Sequence, residues 1–304
     1  MTKKWLLLCM LIIPMVIVAQ QIADTAYHPP LPHPEYAPGL GSVVFIDEAH
    51  HNFHTKEGRF KPFANLLARD GYRVQSYKDP FKTKELEKGK ILVISNALHE
   101  SNVSRWIVPN PSAFTKEEII ELEQWVSNGG SLFLIADHMP LSGAAKDLAA
   151  AFGFEFTNGF ALDSNSKGNT YFNLNEKTLV ESQLTHGRDS TESIHQVATF
   201  TGQAFKIPGD ATPVLIFDKN YVNFLPDTAW VFHDQTAKYN VAGWSQGAFK
   251  KHGQGKLVVF GEAAMFTAQL AGPNKKQIGM NSPDAPENHQ LLLNIIHWLD
   301  GRLE

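Results

Sequence analysis

Short apolar runs alternate with helix-like segments along much of the chain, and few folds accommodate this alternation. Helical spacing of apolar residues is clear at 60–70, and a second helix begins at Thr115. Strands that alternate with helices predict a parallel sheet covered on both faces. The sequence therefore predicts an α/β fold of the doubly wound type. Its first four strands are predicted at 42–46, 72–77, 91–95 and 131–136.

The helix that begins at Thr115 has the clearest boundaries. Thr115 and Glu118 have the spacing of a capping box, and Gly129-Gly130 ends the pattern. The polar stretch 156–210 is predicted to be an insertion, so that 42–304 forms a single domain. Further helices are predicted at 144–152 and 288–299, and further strands at 213–217, 229–232, 240–245 and 256–260.

Residues 1–20 have the pattern of a secretory signal peptide. Lys3 and Lys4 precede an apolar run of about fifteen residues that ends in a small residue, Ala19. A Pro-rich lead-in is predicted at 21–41. These features predict an exported protein, periplasmic or extracellular, with no membrane attachment after cleavage. The alternative is an uncleaved N-terminal anchor, although the run is short for a membrane span of about 20 residues.

Composition narrows the classes of function. The chain has 27 basic and 31 acidic residues, so it lacks the basic surplus of a nucleic-acid-binding domain, and we expect no nucleic acid among its partners. The hydrophobic share of 43% is typical of a globular chain. Cys9, the only cysteine, lies inside the predicted signal peptide. The mature chain would therefore have no disulfide, thiolate metal ligand or cysteine nucleophile.

Polar side chains directly follow several predicted strands. Two carboxylates and three histidines lie within 47–54, after the first strand. Asp137 and His138 follow the fourth strand, and Glu262 follows the last one. Because the carboxyl ends of parallel strands meet at one edge of a sheet, where ligands of such folds bind, we expect one site there. Carboxylates beside a core also need partners, because an unpaired buried charge is costly.

We assign these residues three functional roles. The alternative is that the carboxylates cap loops or helix starts and that the histidines lie on the solvated surface. Carboxylate oxygen and imidazole nitrogen suit zinc, manganese or iron, so a divalent metal is a candidate cofactor. The predicted metal ligands are Asp47, His50, Asp137 and His138. The predicted catalytic residues are His138, Glu262 and His50, with His138 or Glu262 as the general base. The predicted substrate contacts are Asn52, His54 and Asn96.

Weaker signals lie elsewhere in the chain. Residues 243–247 have the spelling Gly-x-Ser-x-Gly of a nucleophile elbow, with Ser245 at its centre. An elbow needs a strand before the serine and a helix after it, and the segment that follows is too short for a helix. His186 and His195 could reach the site from a lid, although surface positions are favoured. Trp106 is either a core residue or an exposed platform for a sugar ring.

Four segments resemble class I glutamine amidotransferase-like domains and, more narrowly, a secreted bacterial branch of them. Relatives in that superfamily include trehalose-utilisation-type proteins and domains of the gliding-motility and intraflagellar-transport type. The resemblance covers most of 42–301 and implies a flavodoxin-like three-layer sandwich with a mostly parallel central sheet. True amidotransferases use a cysteine nucleophile, which the mature chain lacks, so no catalytic role is carried over. The segments are 47–55, 63–74, 129–138 and 288–301.

Two classes of function follow from these observations. The first is an exported hydrolase, with a divalent metal as an optional cofactor, that acts on a carbohydrate or another polar small molecule. The second is a non-catalytic ligand-binding or protein-assembly module on a fold without the nucleophile. A serine hydrolase centred on Ser245 is a remote third.

Overall fold

The structure is a computed structural model that describes residues 21–165 and 168–304. The predicted signal peptide at 1–20 and two residues of the predicted insertion lie outside the described residues. The helices are α1 (Lys61–Arg69), α2 (Thr83–Leu86), α3 (Lys116–Ser127), α4 (Leu141–Ala151), α5 (Gln183–His186) and α6 (Asn288–Asp300).

The strands of the first half are β1 (Gln21–Ala23), β2 (Val43–Asp47), β3 (Arg73–Tyr77), β4 (Ile91–Ser95), β5 (Ser131–Ile135), β6 (Glu155–Phe156), β7 (Phe160–Asp163) and β8 (Thr170–Asn173). Those of the second half are β9 (Gln196–Thr199), β10 (Phe205–Lys206), β11 (Thr212–Ile216), β12 (Tyr221–Leu225), β13 (Ala237–Asn240), β14 (Ser245–His252), β15 (Gly255–Phe260), β16 (Ala268–Ala271) and β17 (Lys276–Gly279). Short 3-10 turns lie at Glu100–Asn102 and Ala264–Phe266.

A nine-stranded sheet forms the centre of the fold. Five parallel neighbours run in the order β3-β2-β4-β5-β15, which is the flavodoxin-like order 2-1-3-4-5. The remaining four strands, β14, β10, β6 and β11, extend the β15 edge with antiparallel pairs. The predicted α/β, flavodoxin-like sandwich is confirmed. The chain reverses its direction across the sheet between β2 and β4, and ligands of such folds bind at that reversal, outside the strand ends.

Both faces of the sheet are buried, which explains the apolar runs of the parallel strands. Alternate residues of each strand point to opposite faces. On one face, Ile46 and Phe133 pack with α1 and α6, and on the other, Leu92 and Leu134 pack with α3 and α4. The sheet is therefore the middle of three layers. The helix at α3 begins with the predicted capping box, in which Glu118 N–H donates to Thr115 Oγ1 and Thr115 N–H donates to the Glu118 carboxylate.

The second half of the chain corrects two strand predictions. The segment 229–232 is an irregular loop, and the nearest strand is β12, which the sequence did not predict. The prediction of one strand at 240–245 is wrong because Asn240 ends β13, Ser245 begins β14, and 241–244 form the turn between them. Residues 156–210 hold β7, the β8-β9 hairpin and α5, and β7 joins β12 and β13 in a small separate sheet. Phe160 of this small sheet stacks on the ring of His138, with ring centroids 4.1 Å apart, and the edge of the cleft is lined by residues of β1, β16 and β17.

The lead-in is held against the domain by strand pairing, ion pairs and a hydrogen bond. Its first residues form β1, which pairs with β16. Further along, the Glu35 carboxylate pairs with Arg188 at 2.6 Å and with Arg302 at 2.7 Å. The N–H of Glu35 donates to Asp70 Oδ1 at 2.7 Å. The described part of the lead-in thus lies along the surface and is tied to it.

Candidate active site

A cleft of about 430 Å³ lies at the carboxyl edge of the parallel sheet. It falls within the range of about 300–1,000 Å³ that is typical of ligand pockets. Five of the predicted site residues line it, and they follow β2, β4, β5 and β15, as expected from the alternation of strands and helices. These five are His54, Asn96, Asp137, His138 and Glu262.

His138 offers an unpaired ring nitrogen inside the cleft. Its Nδ1 lies 2.7 Å from the carbonyl oxygen of Met139, which can only accept, so Nδ1 carries the proton. Its Nε2 lies 3.9 Å from Asp137 Oδ1, and no described residue hydrogen-bonds to it. Burial lowers the pKa of His138, although the charge of Asp137 and the Met139 carbonyl oppose this shift. A neutral imidazole of this tautomer can accept a proton at Nε2.

Glu262 is a buried carboxyl that favours its protonated form. It is 1% exposed, and burial together with the charge of Asp137 raises its pKa well above the usual value. Backbone N–H groups of Met265 and Ala264 donate to its two oxygens at 2.8 and 2.9 Å and oppose the shift only in part. Two carboxyls near each other with different environments can divide the roles of acid and base.

Asn96 and His54 hold the strand ends together. Asn96 adopts a φ of +52°, which asparagine tolerates, and its Oδ1 accepts the N–H of Asp137 at 2.9 Å. Its carbonyl oxygen accepts the N–H of Phe53. His54 stacks on Phe60 at 4.8 Å, and burial with the charge of Arg59 lowers its pKa to about 3. His54 therefore stays neutral and lines the cleft as an uncharged ring.

Asp47, His50 and Asn52 form a second cluster outside the cleft. His50 Nδ1 lies 2.9 Å from Asp47, and its Nε2 lies 3.0 Å from Glu118. Burial lowers the pKa of His50, but the hydrogen bonds and charges of Asp47 and Glu118 outweigh this and raise it overall. Asn52 donates to Asp47 Oδ2 at 2.9 Å. Because each of these groups is engaged by the others, the cluster braces the loop after β2.

The predicted metal site is not assembled. Within 21–165 and 168–304, no group of three or more His, Cys, Asp or Glu side chains has the geometry to hold a metal ion. Asp47 and His50 pair with each other and with Glu118, and only Asp137 and His138 of the four predicted ligands line the cleft. The spacing in sequence suggested one cluster, but Asp47, the last residue of β2, is fully buried and hydrogen-bonded to His50 and Asn52.

The weaker candidates lie apart from the cleft. Ser245 is 3% exposed and begins β14, an antiparallel strand, so no helix follows it and the nucleophile elbow is absent. His195 is an exposed surface residue paired with Glu287 at 3.5 Å. His186 ends α5 and is exposed, so neither histidine lines the cleft.

Aromatic side chains form part of the cleft wall. Trp106 is one of them, which agrees with the prediction of a ring available to a ligand rather than a core residue. The ring of Trp106 lies 6.1 Å from that of His138 and 5.6 Å from that of Phe53. Trp230 lies 4.7 Å from His138 and is 53% exposed. Sequence reasoning missed Trp230, because its apolar neighbours suggested a buried strand.

No protein-family model matches the sequence, and a search of curated proteins finds no match. Solved structures do match. The mmIFT52 N-terminal domain has a TM-score of 0.60 at 14% identity, and the match covers 84% of this chain and 97% of that one. Cytoplasmic Protein STM3548 from Salmonella typhimurium has a TM-score of 0.50 at 14% identity, covering 85% and 98%. A thua-like protein from Bacteroides uniformis has a TM-score of 0.47 at 12% identity, covering 84% and 90%.

At these identities the likeness concerns the fold alone. In the part of the chain that the structure describes, no helix has the length and apolar character needed to cross a membrane. Together with the strand order 2-1-3-4-5, these matches support a flavodoxin-like α/β fold.

Proposed function

We propose that this protein is an exported hydrolase that cleaves a glycosidic or similar bond of a carbohydrate in the cleft. The observation that carries the proposal is that two groups suited to proton transfer line the same cleft: Glu262, a carboxyl whose pKa is raised by burial, and His138, whose Nε2 has no hydrogen-bond partner among the described residues. Aromatic walls beside these groups suit the apolar faces of sugar rings, and the polar groups suit their hydroxyls. The predicted signal peptide supports action in the periplasm or outside the cell.

The reaction needs an acid, a base and water. Glu262 donates its proton to the leaving oxygen while the carbon–oxygen bond breaks. His138 Nε2 accepts a proton from the water that forms the new bond to the same carbon, and Asp137, 3.9 Å away, stabilises the imidazolium. The proton then returns from His138 to Glu262 through solvent. No redox partner is needed, and the groups named supply both proton transfers.

The proposal is tested by product release from a panel of nitrophenyl glycosides and natural oligosaccharides. We expect turnover by the natural chain and by the control Asp147→Asn, because Asp147 is exposed on α4 and outside the cleft. We expect Asp137→Asn to be slower by about tenfold, because the charge that supports His138 is lost. Equal rates for Asp137→Asn and the control on every cleaved substrate would contradict the proposed roles.

A binding module is the second candidate, and one observation favours it. Both oxygens of Glu262 accept backbone N–H groups that lead into the 3-10 turn at Ala264–Phe266, as a purely structural carboxyl would. Sugar binding by calorimetry without any product over days, weakened by Asp137→Asn, would favour binding over hydrolysis.

A further inference from the structure

A second cavity adjoins the cleft. It measures about 460 Å³ and is formed largely by β7, the start of β8 and the end of β12. It and the cleft share five lining residues, so the two are compartments of one groove. The shared residues are Gly168, Asn169, Phe200, Thr201 and Trp230.

Trp230 stands at the junction of the two compartments. Its backbone has a φ of +68°, a strained left-handed conformation that a bulky residue rarely adopts. Its ring lies 4.7 Å from His138 and 4.9 Å from Phe160, yet 53% of the residue is exposed. Trp230 thus keeps a strained backbone conformation, and part of its ring faces the groove.

The second compartment has the same mixed chemistry as the first. Phe224 and Leu162 give it apolar walls, and Asp163, Ser164 and Thr170 give it polar groups. It holds none of the acid and base groups named for the reaction. A compartment that adjoins the proposed acid and base but contains neither of them is suited to holding the neighbouring part of a substrate.

We propose that the groove has two subsites divided by Trp230, and that its ligand is an oligosaccharide of at least two rings. This inference rests on the proposed function. One ring lies in the cleft beside His138 and Glu262, and the next lies between Trp230 and Phe224. Binding free energy gained in the second subsite supports the positioning of the ring in the first.

The test compares sugars of increasing length by isothermal titration calorimetry. The probes are glucose to maltotriose, glucose to cellotriose, and N-acetylglucosamine to chitotriose, and the Glu262→Gln background slows cleavage during the titration. We expect affinity in one series to rise at least about tenfold between one ring and three. Trp230→Ala should weaken binding of that series by about three- to tenfold.

Variants that fill the second compartment distinguish the contributions of the two subsites to binding. Ser164→Trp places an indole there from an exposed position, and Leu162→Trp is a second filling variant from β7. We expect both to remove the gain with length and to retain binding of one ring. Ser190→Trp, on an exposed loop outside both compartments, is the matched control and should retain the full gain.

The outcomes distinguish this inference from the proposed function. Equal affinity for one and three rings, or a gain that persists in both filled variants, would overturn the two-subsite groove and leave single-ring binding standing. Failure of every sugar of every length to bind at millimolar concentration would overturn the proposed function, and this inference with it.

Discussion

Glu262→Gln should lower the turnover number of the cleaved glycoside by about 10²–10⁴-fold, the contribution typical of a general acid. The amide has nearly the same shape but carries no acidic proton for the leaving oxygen. Its effect should be largest on substrates with poor leaving groups and much smaller on nitrophenyl glycosides, whose leaving oxygen needs less protonation. Rates of product release on both kinds of substrate measure this difference.

The control for Glu262→Gln must separate chemistry from folding. The new amide nitrogen would face a backbone N–H of Ala264 or Met265, so some stability is lost, about 1–3 kcal/mol. Circular dichroism and retained sugar affinity show that the cleft persists at the assay temperature. Glu155→Gln, an exposed substitution on β6, should be fully active. Full turnover of a poor-leaving-group substrate by Glu262→Gln would rule out its role as the acid.

Asp70→Ala should lower the free energy of unfolding by about 3 kcal/mol. The Asp70 carboxylate and the His297 ring are both fully buried, and Oδ2 lies 2.7 Å from Nε2. Oδ1 also accepts the N–H of Glu35, so the same side chain ties the lead-in to the domain. Removing it leaves the buried His297 ring and the half-buried N–H of Glu35 without their partner, and breaking a buried pair costs about 3–5 kcal/mol.

Urea denaturation followed by tryptophan fluorescence measures this loss, because the midpoint shifts while the slope stays constant. The matched control is Asp79→Ala, an exposed position after β3 that should change stability by less than about 0.5 kcal/mol. A midpoint for Asp70→Ala equal to that of the control would mean that the buried pair contributes nothing net.

The parallel half of the fold could be predicted because its signals are local. Continuous apolar runs mark strands buried on both faces, and β4 matches its predicted bounds, 91–95. The capping box at Thr115 fixed the start of α3 in the same way. The error at 229–232 has a physical cause: Trp230, Val231 and Phe232 are apolar but 37% exposed or more, and Trp230 lines the groove. A run of exposed apolar residues is indistinguishable in sequence from a buried strand.

The candidate site could be predicted only in part. Strand order brought Asn96, Asp137, His138 and Glu262 to one edge, because the carboxyl ends of parallel neighbours coincide. The separation of His50 from this group could not be predicted, since it depends on Glu118, which lies 68 positions away in the chain. Contacts across such distances are set by tertiary packing, and a capping glutamate carries no sign of a second partner.

The most direct test of the account is the ionisation of Glu262, because the proposed acid must hold a proton at neutral pH. Side-chain carboxyl carbon signals can be followed by ¹³C NMR across the pH range in which the protein is folded, and Glu262→Gln identifies the signal by its loss. We predict a pKa well above the ordinary value of 4.5, raised by burial and by Asp137, and a lower one in Asp137→Asn. A Glu262 signal that titrates at or below 4.5 would contradict the account.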